Sequence, residues 1–427
     1  MADISYHKVD TQRVAAPSGC PIDHEFSPYH DAYVADPYPW LDQKREDQPI
    51  FYSADLGYVV VTRMEEVDYV FRNPELFAST NVQDPVFPLC PEAAEILSAE
   101  DYNPIAVMSN RAQPDHTRIR KHTQACFSPR RIGVLEPLVR SRASELIDNM
   151  LAQGSSAEWV SAVGNPLPAE TIFRLIGFDP QDDEQLKEWT NDRLQFTWGK
   201  TDSDQQIRVA ANLLSYWRHV AAFVESRKEN PADDMTSELL AAHAEHPDEI
   251  TFNEVQSVIY GLSFAGHEIV RNLISNALIC LLSDRTHWQR IIENRDLIPK
   301  AIEEVLRYKS AQPSWRRVTT CDTTLGGINI PEGTPIFLSL AAANHDPRSF
   351  EGPDVFDMDR RNSSRHISFG RGPHICLGRI LAKSEVQTVL ELLVEKVPTL
   401  KLVDEQSFEY AANFSFRGPR TLYLEWR

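Results

Sequence analysis

Phe369-Gly370-Arg371-Gly372-Pro373-His374-Ile375-Cys376-Leu377-Gly378 sets a lone cysteine in a glycine-punctuated loop, directly ahead of the apolar, helix-forming run Leu377–Leu393. The glycines permit backbone shapes that residues with a Cβ resist, and they let a flat ligand come close. A cysteine at a helix start faces unpaired N–H donors and the positive end of the helix dipole, and both favour thiolate over thiol. Phe369 can lie over the sulfur and keep water away. The stretch therefore asks for a fold that presents one shielded, electron-rich sulfur ligand to iron. Its bland alternative is a buried cysteine behind an ordinary glycine-rich turn.

The rest of the chain narrows the choice. At 427 residues it can bury a large core, with 42% hydrophobic and 25% charged residues, an ordinary composition for a soluble globular protein. Acidic residues outnumber basic ones by 62 to 43, and the net charge of −19 speaks against a nucleic-acid binder. No run of about eighteen apolar residues is present, so no membrane span is expected. Met1–His7 lacks the basic-then-apolar order of a secretory leader. Cys20, Cys90, Cys126, Cys280, Cys321 and Cys376 are scattered without C-x-x-C spacing. That usage suits a reducing cytoplasm and gives no zinc site.

Residues 1–45, rich in Pro, Tyr, Asp and His, read as an irregular lead-in. Gly57–Arg63 reads as a strand, and Pro85, Pro88, Pro91 and Pro104 mark a long loop over 83–110. Ser128 and Pro129 open a helix that runs to Gly154. Thr251 and Glu254 form a capping-box pattern ahead of a long apolar helix reaching about residue 283. Arg317–Thr320, Ile336–Leu340 and Thr421–Trp426 read as short strands. Without repeats or a linker, the chain is expected to be one mainly α unit, helix-rich with small β-sheets.

Several constellations surround the loop in sequence. Glu304 and Arg307 share a helical face, as do His116 and Arg120. Arg360 lies between Arg307 and the cysteine, and Phe264-Ala265-Gly266-His267-Glu268-Ile269-Val270 occupies the long helix. The set resembles the cytochromes P-450, whose Phe-x-x-Gly-x-x-x-Cys-x-Gly pattern is met at Phe369, Gly372, Cys376 and Gly378. The resemblance runs from His116 to Gly378 and implies a single haem-thiolate domain over 1–427.

It also implies roles. Cys376 is the axial ligand of haem b, with Ala265, Phe369 and Gly378 around the cofactor. His116, Arg120, Arg317 and His374 are its propionate contacts, although each taken alone reads equally as a surface cation. Glu304, Arg307 and Arg360 form a structural charge triad. Gly266 makes room for dioxygen, and Glu268 is the acid of proton delivery. Ile269 stands where the family carries threonine, and isoleucine neither donates nor accepts a hydrogen bond. A substrate hydroxyl or ordered water, a peroxide-using or poorly coupled turnover, or an isomerising reaction without that protonation would each account for it. The implied activity is insertion of one oxygen atom from O2 into a modest apolar or aromatic molecule. Ferredoxin and ferredoxin reductase would supply electrons, since no flavin or ferredoxin segment follows. A haem sensor or carrier is the remaining alternative, against which the acid at Glu268 speaks.

Overall fold

Apolar residues at helical spacing fill the middle of the chain, and helices accordingly make most of the molecule. The computed structural model describes residues 14–426, so the reading of Met1–His7 lies outside the described residues. The cap at Thr251 forms as the sequence predicts. Its hydroxyl accepts from the Glu254 N–H at 3.2 Å, and the Glu254 carboxylate accepts from the Thr251 N–H at 2.8 Å. The expected single helix is instead two, Phe252–Ala265 and Glu268–Ser283, interrupted at Gly266 and His267. Glycine is a poor helix former. Here a packing demand also calls for it: a Cβ at Gly266 would lie 2.9 Å from Ile172 on the helix Pro166–Ile176.

Ser128 accepts from the Arg131 N–H and starts the helix Pro129–Ala152. Two expectations of irregularity need correction. Within the lead-in, Ile22–Asp23 joins a sheet, while Asp31–Ala35 and Tyr38–Asp47 are helical. Pro39, which signals a loop in sequence, sits in the first turn of the second of these helices, where a missing N–H costs nothing. The 83–110 segment likewise contains the short helix Pro91–Ile96.

One six-stranded sheet carries functional side chains. Its order is Ile22–Asp23, Ile50–Ser53, Tyr58–Val61, Pro335–Ser339, Ser314–Thr319, Phe77–Ala78. Pro335–Ser339 pairs parallel with Tyr58–Val61 and antiparallel with Ser314–Thr319, with Arg317 opposite Ile336 and Trp315 opposite Leu338. Strand alternation settles which of two adjacent arginines faces the site. Trp315 and Arg317 line the central cavity, whereas Arg316 turns to the Tyr58 hydroxyl and the Val82 carbonyl. No helix among the described residues is long and apolar enough to cross a membrane.

Candidate active site

Two left-handed glycines shape the cysteine loop. Gly370 and Gly372 both have φ of +68°, and a Cβ on Gly372 would fall 2.5 Å from the Phe71 carbonyl oxygen. The Cys376 N–H then reaches back to the Phe369 carbonyl at 3.0 Å, closing the loop. The following helix spans Arg379–Lys396, so the sulfur lies three residues ahead of it. The N–H groups of Gly378 and Arg379 and the charges of Arg120 and Arg379 pull the thiol down. Burial is the larger effect, and it holds Cys376 above the ordinary cysteine value. The sulfur is nonetheless accessible, because it faces an internal cavity rather than bulk solvent.

That cavity measures about 250 Å³ and brings together residues far apart in sequence, among them Arg120, Ala265, Gly266, Ile269, Arg317, Phe369, His374, Cys376 and Gly378. His116 stands just behind the wall, its ring 3.8 Å from that of His374. His116, Arg120, Arg317 and His374 thus form a basic cluster, and no acidic side chain among the described residues is ion-paired with any of them. Burial, reinforced by the charges of Arg120 and Arg317, pushes His116 down to about 4. Burial and the same neighbours push His374 down to about 2, and burial alone lowers Arg317 to about 9. His116 Nε2, His374 Nδ1 and Arg317 Nε are buried without hydrogen-bond partners. A buried cluster of donors with no counter-charge is built for an anion.

Behind the loop, Glu304 and Arg307 are completely buried and joined by two bonds of 2.9 and 2.7 Å. Arg360 reaches the same carboxylate at 3.1 Å. Arg307 also donates to the carbonyls of Asn344 and Pro353 at 3.1 and 2.8 Å. Asn344 in turn donates to Ser368 at 2.8 Å and accepts from the Ile367 N–H at 2.8 Å, so the brace ends one residue before Phe369. A second tie was not legible in sequence. His366 accepts from the Ser368 N–H at 3.1 Å and contacts Glu303 at 3.2 Å, and Glu303 also pairs with Lys383 at 2.8 Å.

The opposite wall is apolar. Ala265 and Ile269 border both the main cavity and a second one of about 120 Å³. Glu268 lines the second cavity and not the one holding Cys376. It is ion-paired with Arg271 and accepts from Asn272 at 3.4 Å. The Glu268–Arg271 spacing of three was available in sequence as a same-face pair. Gly266 borders the main cavity, yet the position of its missing Cβ is taken up by Ile172, so the room it leaves serves helix packing.

A family model described as cytochrome P450 matches residues 216–409. The biotin biosynthesis cytochrome P450 of Bacillus subtilis (strain 168) is 33% identical over 391 residues, 90% of this chain and 95% of its own length. The chain belongs to the cytochrome P450 family. The structure of cytochrome P450 CREJ in complex with (4-ethylphenyl) dihydrogen phosphate is similar at a TM-score of 0.91 and 36% identity, covering 95% of this chain and all of that one. An intact type IV self-sufficient cytochrome P450 monooxygenase matches at a TM-score of 0.92 and 33% identity, covering 98% of this chain and 55% of that one.

As a P450, the protein is an oxidoreductase of the haem-thiolate monooxygenase class, with haem iron as its cofactor. The residues present fit that group. The basic cluster matches two propionates, and a Cβ at Gly378 would meet no protein atom nearer than 4.0 Å, leaving its side of the cavity clear for a flat ring. No group of three His, Cys, Asp or Glu side chains among the described residues is placed to hold a bare metal ion. Sequence reasoning missed Glu385, which also lines the cavity. Burial pushes its carboxyl well above the usual range. It is hidden in an apolar helical run, and nothing in its spacing sets it apart.

Proposed function

We propose that the protein binds haem b through Cys376 and inserts one oxygen atom from O2 into a modest apolar or aromatic substrate. The observation that carries this reading is the shared cavity, where the cysteine loop, the buried basic cluster and the interrupted helix meet. When bound, haem supplies the activation of dioxygen by a thiolate-ligated iron. The chain's own residues do the rest. His116, Arg120, Arg317 and His374 hold the propionates, Phe369 and the braced loop keep water from the sulfur, and Ala265 and Ile269 shape the opposite face. Arg271 pairs with Glu268 at the edge of the second cavity, where Glu268 passes protons inward.

Trp198, Trp315 and Phe416 line the second cavity together with Phe264, which supports an aromatic or alicyclic substrate. The aryl compound in the CREJ complex, (4-ethylphenyl) dihydrogen phosphate, points the same way. Phe87, Tyr102, Phe196 and Phe414 pack into the apolar core instead. Electrons come from a ferredoxin and its reductase in the cytoplasm. Ile269 favours a second reading, in which peroxide replaces dioxygen and reductant, because no alcohol occupies that position. Turnover under 18O2 with ferredoxin, reductase and NAD(P)H separates the two. Label in the product and dependence on reductant are expected. Unlabelled product, or equal turnover with peroxide alone, would support the second reading.

A further inference from the structure

The walls of the second cavity are apolar except at a few points, and those points are underused. Gln83 is 3% exposed, and its Nε2 lies 3.0 Å from the Ser109 hydroxyl oxygen. Its Oε1 is buried with no partner. Exchanging the amide nitrogen and oxygen reverses this bond but still leaves one amide atom unpaired. Ser109 borders both cavities, alongside Ala265 and Ile269, and as the acceptor in this bond it keeps its own proton to give. Trp198, 1% exposed, also lines the second cavity, and its indole N–H has no acceptor. Buried polar atoms are rarely left unpaired without a reason, since each costs about 1–3 kcal/mol.

Charge completes the picture. Neither lysine nor arginine lines the second cavity, and its one charged residue is the carboxylate Glu268. An anionic ligand would meet no counter-charge there. We propose that the substrate is a neutral ring compound carrying a hydroxyl group, held by Gln83 and Ser109 with the indole N–H of Trp198 as a further donor. A hydroxyl both donates and accepts, so it satisfies a free amide oxygen and a free donor together. A hydrocarbon satisfies neither, and a ketone satisfies only the donor. The aromatic faces of Trp198, Trp315 and Phe416 receive the ring. The assignment rests on the proposed monooxygenase reading and deepens it by naming the substrate class.

The test is an optical titration of the haem-loaded protein with two matched pairs, 4-ethylphenol against 4-ethyltoluene and 2-naphthol against 2-methylnaphthalene. Gln83→Leu and Ser109→Ala should weaken both phenols by about tenfold or more and leave both hydrocarbons within about twofold. Trp198→Phe should weaken the phenols by a smaller factor, and 4-ethylphenyl phosphate should bind the parent more weakly than 4-ethylphenol. Calorimetry on the same series gives a second readout that does not depend on the spin state. Equal loss for phenols and hydrocarbons, no loss for either, tighter binding of the phosphate, or no binding of either phenol would overturn the proposal. A thiolate-type carbon monoxide band in every variant shows that such a failure belongs to the substrate class. Loss of that band in the parent would instead sink the underlying haem-thiolate reading.

Discussion

The two sides of the central cavity are built by opposite means. Behind Cys376, buried polar groups are paired several times over: Glu304 meets Arg307 and Arg360, Arg307 meets three carbonyls, and Asn344 ties the set to Ser368. Opposite it, around Ala265, Ile269 and Trp198, the walls are mostly hydrocarbon, and the Gln83 amide oxygen and the Trp198 indole N–H lack partners. A saturated polar network has one satisfactory geometry and fixes a loop in place. An apolar wall with unfilled polar points keeps its pairing capacity for a ligand. The first side is fixed by its own bonds, and the second is free to vary with what it receives.

The largest effect should come from breaking the saturated side. Glu304→Ala or Arg307→Ala strands a charge in a fully buried site, at a cost of about 3–5 kcal/mol. That is a large part of a domain's roughly 5–15 kcal/mol stability. Mostly haem-free or insoluble protein is expected, and a soluble, haem-loaded Glu304→Ala variant with normal melting would count against the bracing role. Gly266→Ala comes next. Its Cβ would press on Ile172, with a cost of about 1–3 kcal/mol in denaturant unfolding and cofactor retained. A neutral result would mean that the adjoining helix yields easily.

On the open side the effects should be functional. If a substrate hydroxyl already serves beside Ile269, Ile269→Thr should leave product per electron level or lower. A clear gain in coupling, with less peroxide released, would show that no substitute donor exists. Glu268→Gln should slow turnover without changing the melting temperature by more than a few degrees, and unchanged activity would remove its proton-delivery role.

The smallest effect concerns the second tie to the loop. Burial raises the Glu303 carboxyl, but His366 and Lys383 outweigh it and bring it down to about 2. A folded value below the unfolded one, about 4.3, stabilises above that pH and is lost as pH falls toward 2. The stability gap between the parent and Glu303→Gln should therefore narrow as urea unfolding is repeated from pH 6 to pH 3. A gap independent of pH would mean that the carboxylate's charge contributes nothing.

The same contrast explains what was legible in sequence. The cysteine loop is a contiguous run with two left-handed glycines, so its chemistry and geometry are written together. His116 with Arg120 and Glu304 with Arg307 are same-face helical pairs, readable from spacing. Strand alternation was needed to choose Arg317 over Arg316, and it requires the register with Ile336. The packing demand for a glycine at position 266 comes from Ile172, a contact between distant segments that no local pattern carries. Gln83, Ser109 and Trp198 meet only through tertiary packing. None belongs to a motif, and the lead-in helix Tyr38–Asp47 was masked by a proline whose place in a first turn appears only in three dimensions.

Cys376 as the sole iron ligand from the chain is the central claim, and the ferrous carbon monoxide spectrum tests it most directly. The parent should show the strongly red-shifted Soret band of thiolate-ligated haem b. Cys376→Ala should lose that band, while alanine at Cys20, Cys90, Cys126, Cys280 or Cys321 should keep it. Retention of the band in Cys376→Ala, or its loss in any of the other five variants, would contradict the account.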